Sequence, residues 1–114
     1  MTGKYDIEVY NKRVHYHLTI KRNITVIIGD SATGKTELLR MISDYENNGI
    51  SSGITEICEK RCVVVENASW KERLATLKQC IIFIDEGAQF LRSKEFTRIN
   101  KSSDNYLYLL QEIH

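Results

Sequence analysis

The chain has 114 residues, of which 42% are hydrophobic and 27% are charged, and its 16 basic and 15 acidic residues give a formal net charge of +1. This composition fits one globular domain over residues 1–114 and excludes collagen, coiled coil and a disordered chain. No apolar run approaches the roughly 18 residues of a membrane span, and the polar N-terminus has no secretory signal. We therefore expect a cytoplasmic protein without a membrane segment.

Charge and cysteine content limit the partners further. A near-neutral chain does not favour nucleic acid, although Lys94, Arg98 and Lys101 leave a local basic patch open as an alternative. The three cysteines, Cys58, Cys62 and Cys80, are interpreted as reduced and mostly buried thiols. Cys58 and Cys62 are four residues apart, but no second Cys or His pair completes a zinc site.

Alternating apolar residues predict an antiparallel hairpin over about residues 5–20. Ile7 and Val9 share one face of the first strand, and every second residue from Val14 to Ile20 is apolar in the next. The polar residues 11–13 form the predicted turn.

Continuous apolar runs then predict strands that are buried on both faces of a parallel sheet. The runs are Ile24–Ile28, Arg61–Val65, Cys80–Ile84 and Tyr106–Leu110. Helical periodicity is found between them, over residues 36–48, from residue 69 to about 77, and over about 88–100, where Ser93 is a candidate break. Residues 50–57 are interpreted as a loop or a short irregular strand. The alternation of strands and helices indicates an α/β fold.

A phosphate-binding pattern, G-x-x-x-x-G-K-[ST], follows the first of these strands. It consists of Gly29, Asp30, Ser31, Ala32, Thr33, Gly34, Lys35 and Thr36. Gly34 lets the backbone approach a phosphate, and the loop amides and the helix N-terminus favour an anion. Lys35 supplies a positive charge for the β- and γ-phosphates, and the Thr36 hydroxyl is a candidate Mg²⁺ ligand. Glu37 comes next and closes the candidate nucleotide-binding segment.

A second pattern ends in two acids. Ile81–Ile84 is an apolar strand, and Asp85 and Glu86 follow it directly, with Asp85 50 residues after Lys35. Ligands bind at the carboxyl ends of strands in open parallel sheets. Asp85 is therefore the second candidate Mg²⁺ ligand, and Glu86 is the candidate base that polarises a water for attack on the γ-phosphorus.

These two patterns, Gly29–Thr36 and Ile81–Glu86, resemble the Walker A and Walker B motifs of the P-loop NTPases. The acidic pair is similar to that of the division with an additional catalytic glutamate, which includes AAA+, RecA-like and ABC-type ATPases. The resemblance implies a three-layer sandwich with a mostly parallel sheet and, here, an N-terminal antiparallel hairpin. It also implies that the strand Tyr106–Leu110 lies beside Ile24–Ile28, between that strand and the Walker B strand. Gln111, just after it, matches the catalytic position that senses the γ-phosphate.

The chain also departs from these families. It has no LSGGQ-type segment of the ABC ATPases, and it ends at His114, before the further strand and the helical lid of AAA+ proteins. We therefore expect a minimal or truncated ATPase core. The resemblance favours ATP as the nucleotide, with Mg²⁺.

Three functions remain under consideration. The first is Mg²⁺-dependent ATP hydrolysis coupled to a conformational change or a protein partner. The second is a nucleotide-binding interaction module with little or no hydrolysis. The short chain favours it, because sheet or helix surface left uncovered invites self-association or a protein partner. The third and weaker one is a kinase for a small molecule.

Overall fold

The strands of this protein divide between two sheets. The structure, a computed structural model, describes residues 5–20, 24–27, 34–76, 80–102 and 107–110, with the backbone alone for 99–102 and 107–110. In chain order, the strands are β1 (Tyr5–Tyr10), β2 (His15–Ile20), β3 (Ile24–Ile27), β4 (Thr55–Ile57), β5 (Arg61–Val64), β6 (Cys80–Asp85) and β7 (Leu107–Leu110). One sheet has the order β2-β1-β4 and is antiparallel, and the other has the order β5-β6-β3-β7 and is parallel.

The expected three-layer sandwich on one mostly parallel sheet is wrong, although the α/β class and the hairpin are correct. The hairpin does not extend the parallel sheet. It forms a separate antiparallel sheet, in which β4 pairs with the second edge of β1. β4 comes from residues 50–57, the segment interpreted from the sequence as a loop or a short irregular strand. Three residues bounded by Gly53 and a bend are too short to give a strand periodicity, so the sequence could not reveal this pairing.

The strand order implied by the resemblance is also wrong in one respect. β7 does lie beside β3, but β3 pairs with β6 on its other edge, so β7 is not inserted between them. These strands are apolar on both faces, and nothing in their local sequences distinguishes one neighbour from another.

Within the described ranges, three α-helices connect and cover the sheets: α1 (Lys35–Asn48), α2 (Trp70–Thr76) and α3 (Lys94–Ser102). The predicted stop of the first helix is confirmed, since Gly49 ends it with φ 59° and donates a backbone hydrogen bond to Tyr45. The predicted break at Ser93 is confirmed as well. A 3₁₀ helix over Gln89–Arg92 precedes it, and the Ser93 hydroxyl accepts a hydrogen bond from the Phe96 amide at 3.1 Å.

Two apolar clusters lie on opposite faces of the parallel sheet. The first joins that sheet to α1 and to the inner face of the antiparallel sheet, with Phe83, Met41 and Leu18 among its members. The second packs the other face against an aromatic group, in which the Trp70 and Phe90 rings stack at 4.9 Å and Phe96 meets both edge-on. No helix within the described part of the chain has the length and apolar character needed to cross a bilayer.

Candidate functional site

The candidate site forms where β3 and β6 end beside the start of α1. The parallel register places Ile27 opposite Asp85. The backbone amide of Glu86 continues this pairing by donating a hydrogen bond to the Ile27 carbonyl at 3.1 Å. The two strands therefore end level, and the acidic pair is held at the edge of the sheet from which the candidate phosphate loop departs.

Lys35 meets both acids at this edge. Its Nζ atom lies 3.1 Å from Asp85 Oδ1 and 3.9 Å from Glu86 Oε1. The Lys35 side chain is only 11% exposed, whereas each carboxylate is 42% exposed. A buried ammonium group is costly without an opposite charge, and the two carboxylates supply it. Two patterns 50 residues apart in sequence thus converge on one cluster of charges.

The turn after β6 holds Asp85 in a fixed orientation. The Gly87 amide donates a hydrogen bond to Asp85 Oδ1 at 2.9 Å, and the Ala88 amide donates to the Asp85 carbonyl at 2.9 Å. Aspartate commonly bonds to the backbone two residues later in this way. One carboxylate oxygen is therefore shared between a backbone amide and Lys35, which keeps the group directed toward the start of α1.

Tyr16 connects the antiparallel sheet to the same place. Its hydroxyl donates a hydrogen bond to the Gly34 carbonyl at 3.3 Å, and burial followed by the charge of Glu37 raises the pKa of Tyr16. Gly34 has φ 87°, and a Cβ atom there would lie 3.0 Å from the Tyr16 hydroxyl. The positive φ therefore favours glycine at this position, and the close approach of the ring leaves little room for a side chain. Sequence reasoning missed this contact, because alternation in β2 assigns Tyr16 only to a buried face.

A cleft of about 820 Å³ opens from this cluster between α1 and the ends of β5 and β6. Its lining includes Thr36 and Asp85 beside the cluster, Asn47 of α1, and Asn67, which follows β5. Its volume is within the usual range of small-molecule sites. Sequence reasoning did not predict this cleft, because its walls come from segments that are far apart in the chain.

The donor set at the end of the cleft fits Mg²⁺. Thr36 and Asp85 line the same space, and a hydroxyl and a carboxylate are the oxygen ligands that this ion takes when phosphates and waters complete its shell. Among the residues described, no three His, Cys, Asp or Glu side chains are arranged to hold a metal by themselves. The Thr36 hydroxyl and the Asp85 carboxylate are therefore the candidate oxygen ligands in this cleft.

Glu37 takes part in an ion network along α1. Arg40 donates hydrogen bonds to both of its carboxylate oxygens, at 3.1 and 2.7 Å, and lies 3.7 Å from Asp44. Hydrogen bonding from Arg40 lowers the pKa of Glu37. This carboxylate is thus engaged by a neighbour on its own helix.

The remaining predicted site residues lie outside the described residues. They are Gly29, Asp30, Ser31, Ala32, Thr33 and Gln111. Of the predicted nucleotide and metal residues, the structure brings together Lys35, Thr36, Asp85 and Glu86, with Gly34 at the entry to α1. No family model, curated protein or solved structure matches this chain.

Proposed function

We propose that the chain is a cytoplasmic ATP-binding protein with Mg²⁺-dependent ATPase chemistry, coupled to a conformational change or a protein partner. The observation that carries this proposal is the 3.1 Å contact between Lys35 and Asp85. A lysine that ends a phosphate-loop pattern and an aspartate that ends a buried strand are independent signals in the sequence. Their convergence at the edge of a parallel sheet supports a single nucleotide site.

Lys35 would exchange partners when nucleotide binds. Phosphate oxygens would replace the carboxylates as acceptors for its amine, and Thr36 and Asp85 would hold Mg²⁺, which supplies positive charge to the phosphates. The backbone amides of Gly29–Gly34 would bind the same phosphates at the start of α1. The ion pair between Lys35 and Asp85 would then open, and this links nucleotide binding to a local change of structure.

Glu86 would act on the attacking water. Its carboxylate is 42% exposed and within 3.9 Å of the Lys35 amine, so it can meet a water beside the γ-phosphate. It would accept the proton of that water as the oxygen attacks phosphorus. Gln111 stays a proposed γ-phosphate sensor from the resemblance alone.

The test measures ATP binding and phosphate release separately. Wild type should bind Mg-ATP and release phosphate, and Glu86→Gln should still bind ATP while its release rate falls by about 100-fold or more. Glu72→Gln, which changes an exposed side chain of α2, is a matched control that should keep both ATP binding and phosphate release. An unchanged release rate in Glu86→Gln would reject the proposed base, and failure of wild type to bind any nucleotide would reject the site.

The cleft favours one alternative, a small-molecule kinase. Its 820 Å³ extends from Thr36 and Asp85 along α1, which leaves room for a phosphate acceptor. A kinase would form ADP only when an acceptor is added, whereas an ATPase releases phosphate without one. Binding with neither outcome would favour the nucleotide-binding interaction module.

A further inference from the structure

Cys58 and Cys62 lie at the crossing between the two sheets. Cys58 follows β4 of the antiparallel sheet directly, and Cys62 is the second residue of β5 in the parallel sheet. Cys62 is buried in the first apolar cluster, and Cys58, half-buried, packs against that cluster. Only the bend at Glu59 and Lys60 and the first residue of β5 separate them. Both thiols therefore approach the same part of the core from two different sheets.

A carboxylate completes this group. Glu56 is half-buried on the inner side of β4, and burial raises its pKa against the opposing effect of the neighbouring Cys62 thiol and backbone. Its Oε2 atom is buried and has no hydrogen-bond partner among the described residues. The Cys62 sulfur also lies 3.8 Å from the Lys60 carbonyl. The cluster thus contains two thiols and an acceptor with spare capacity, and it is separate from the candidate nucleotide site.

The two thiols are chemically unequal. Hydrogen bonding from Cys62 lowers the pKa of Cys58 to about 7, against the opposing effect of burial. The interaction with Cys58, followed by burial, raises the pKa of Cys62. Cys58 is also the more exposed of the two. A partly exposed thiolate beside a buried thiol is the arrangement of an attacking and a resolving cysteine.

We propose that Cys58 and Cys62 form a peroxide-oxidisable dithiol, in which Cys58 reacts first and Cys62 then closes a reversible disulfide between the two sheets. The Cys58 thiolate attacks one oxygen of hydrogen peroxide, the O–O bond breaks, and the leaving hydroxide takes a proton to become water. The Cys62 sulfur then attacks the sulfenic sulfur. The S–S bond forms, the S–O bond breaks, and the Cys62 proton passes through Glu56 to the leaving hydroxide, which gives a second water. Two electrons pass from the two thiols to one peroxide.

The full-length protein tests this directly. After limited hydrogen peroxide, the intact mass of wild type should fall by two hydrogens, and dithiothreitol should restore it. Peptide mapping should find Cys58 linked to Cys62. Cys80→Ala is the matched control, since Cys80 is buried on β6, and it should behave as wild type. Cys58→Ser should show no such loss of mass.

A second variant isolates the first step. Cys62→Ala should stop at the sulfenic acid, so that a sulfenic-acid reagent labels Cys58, and iodoacetamide should alkylate Cys58 about tenfold faster than Cys80 near pH 7. If Cys62→Ala does not fold, the peptide map of wild type decides. Three results would each overturn the proposal. Wild type could gain an oxygen without losing hydrogens, the disulfide could include Cys80 or join two chains, or Cys58 could fail to react. None of these results depends on nucleotide binding.

Discussion

The two ends of α1 carry the same arrangement of charges with opposite sign. At its start, the Lys35 side chain, 11% exposed, is paired with the acids at the end of β6. Near its end, the Glu46 side chain, also 11% exposed, is paired with Arg61 at 2.8 Å and Arg73 at 3.1 Å. Each end thus has one buried charge held by two partners of opposite charge.

The two ends differ in what a ligand can reach. The Lys35 end adjoins the carboxyl ends of the strands and the cleft. Its two acids have oxygen atoms that a metal ion can take as ligands, and its amine can bind phosphate oxygens. Glu46 joins α1 to the beginning of β5 and to α2, through side chains that only donate hydrogen bonds. Arg61 and Arg73 also supply positive charge beside the last turn of α1, which has no basic residue of its own. A cluster of charges alone therefore does not predict a ligand site, and the position of the Lys35 cluster at the strand ends is what favours the proposed site there.

The largest expected effect is on nucleotide affinity. Lys35→Ala should weaken Mg-ATP binding by about 30- to 100-fold, because a charge-assisted hydrogen bond to phosphate is worth about 2–3 kcal/mol. The fold should persist, since the two acids left behind are partly exposed. Calorimetric titration measures the affinity, with Lys94→Ala on α3 as a control. If Lys35→Ala bound Mg-ATP with the affinity of wild type, the proposed role of the start of α1 in nucleotide binding would be rejected.

The opposite end should affect stability instead. Glu46→Gln should lower the free energy of unfolding by about 2 kcal/mol, because it leaves the partly buried guanidinium of Arg73 without its counter-charge. The Arg73 Nε atom is already buried without a hydrogen-bond partner in the described part of the chain, which adds to this cost. Urea denaturation measures the change. A tenfold loss of ATP affinity in the folded variant would contradict the purely structural role of this end.

A smaller effect is expected at the contact between Tyr16 and Gly34. Tyr16→Phe removes only the hydroxyl and should lower the free energy of unfolding by about 1 kcal/mol. It should also reduce ATP affinity by about threefold, because the lost hydrogen bond holds the backbone immediately before Lys35. Tyr10→Phe, whose ring stacks on His15 at 4.8 Å, is the matched control and should retain the affinity. Equal ATP affinities in Tyr16→Phe and Tyr10→Phe would show that the Tyr16 hydroxyl does not contribute to nucleotide binding at the start of α1.

The smallest effect concerns Glu56, a half-buried carboxylate that has no paired cation among the residues that the structure describes. Burial, with a smaller contribution from the charge of Glu46, raises the pKa of Glu56 above its ordinary value of 4.5. The folded state therefore binds the proton of Glu56 more tightly than the unfolded state does. Protonated Glu56 thus adds to the free energy of unfolding at low pH, and this contribution is lost as the pH rises from about 4.5 through the folded pKa. Glu56→Gln should be more stable than wild type at neutral pH by about 0.5 kcal/mol, after discounting for its partial exposure. Unfolding curves at several pH values check this, and a constant difference between the two proteins at all pH values would contradict it.

Much of the local structure could be predicted from the sequence. Alternation in β1 and β2 predicted the hairpin, the period of Leu38 and Met41 predicted α1, and apolar runs predicted the strands of the parallel sheet. The proposed roles of Lys35, Thr36 and Asp85 also came from sequence patterns. These features were accessible because they depend on side-chain periodicity and on residues that are close in the chain.

Tertiary structure decided which elements are neighbours. The pairing of β4 with β1, the position of β7 beyond β3, and the contact of Tyr16 with Gly34 each join distant segments. Apolar strands that are buried on both faces carry no local signal for their order, because any of them can satisfy the backbone of any other. The sequence by itself determined which residues are candidates for binding a phosphate and a metal. Only the packing of α1 against the ends of the strands brought Lys35 within 3.1 Å of Asp85 and left a cleft beside them.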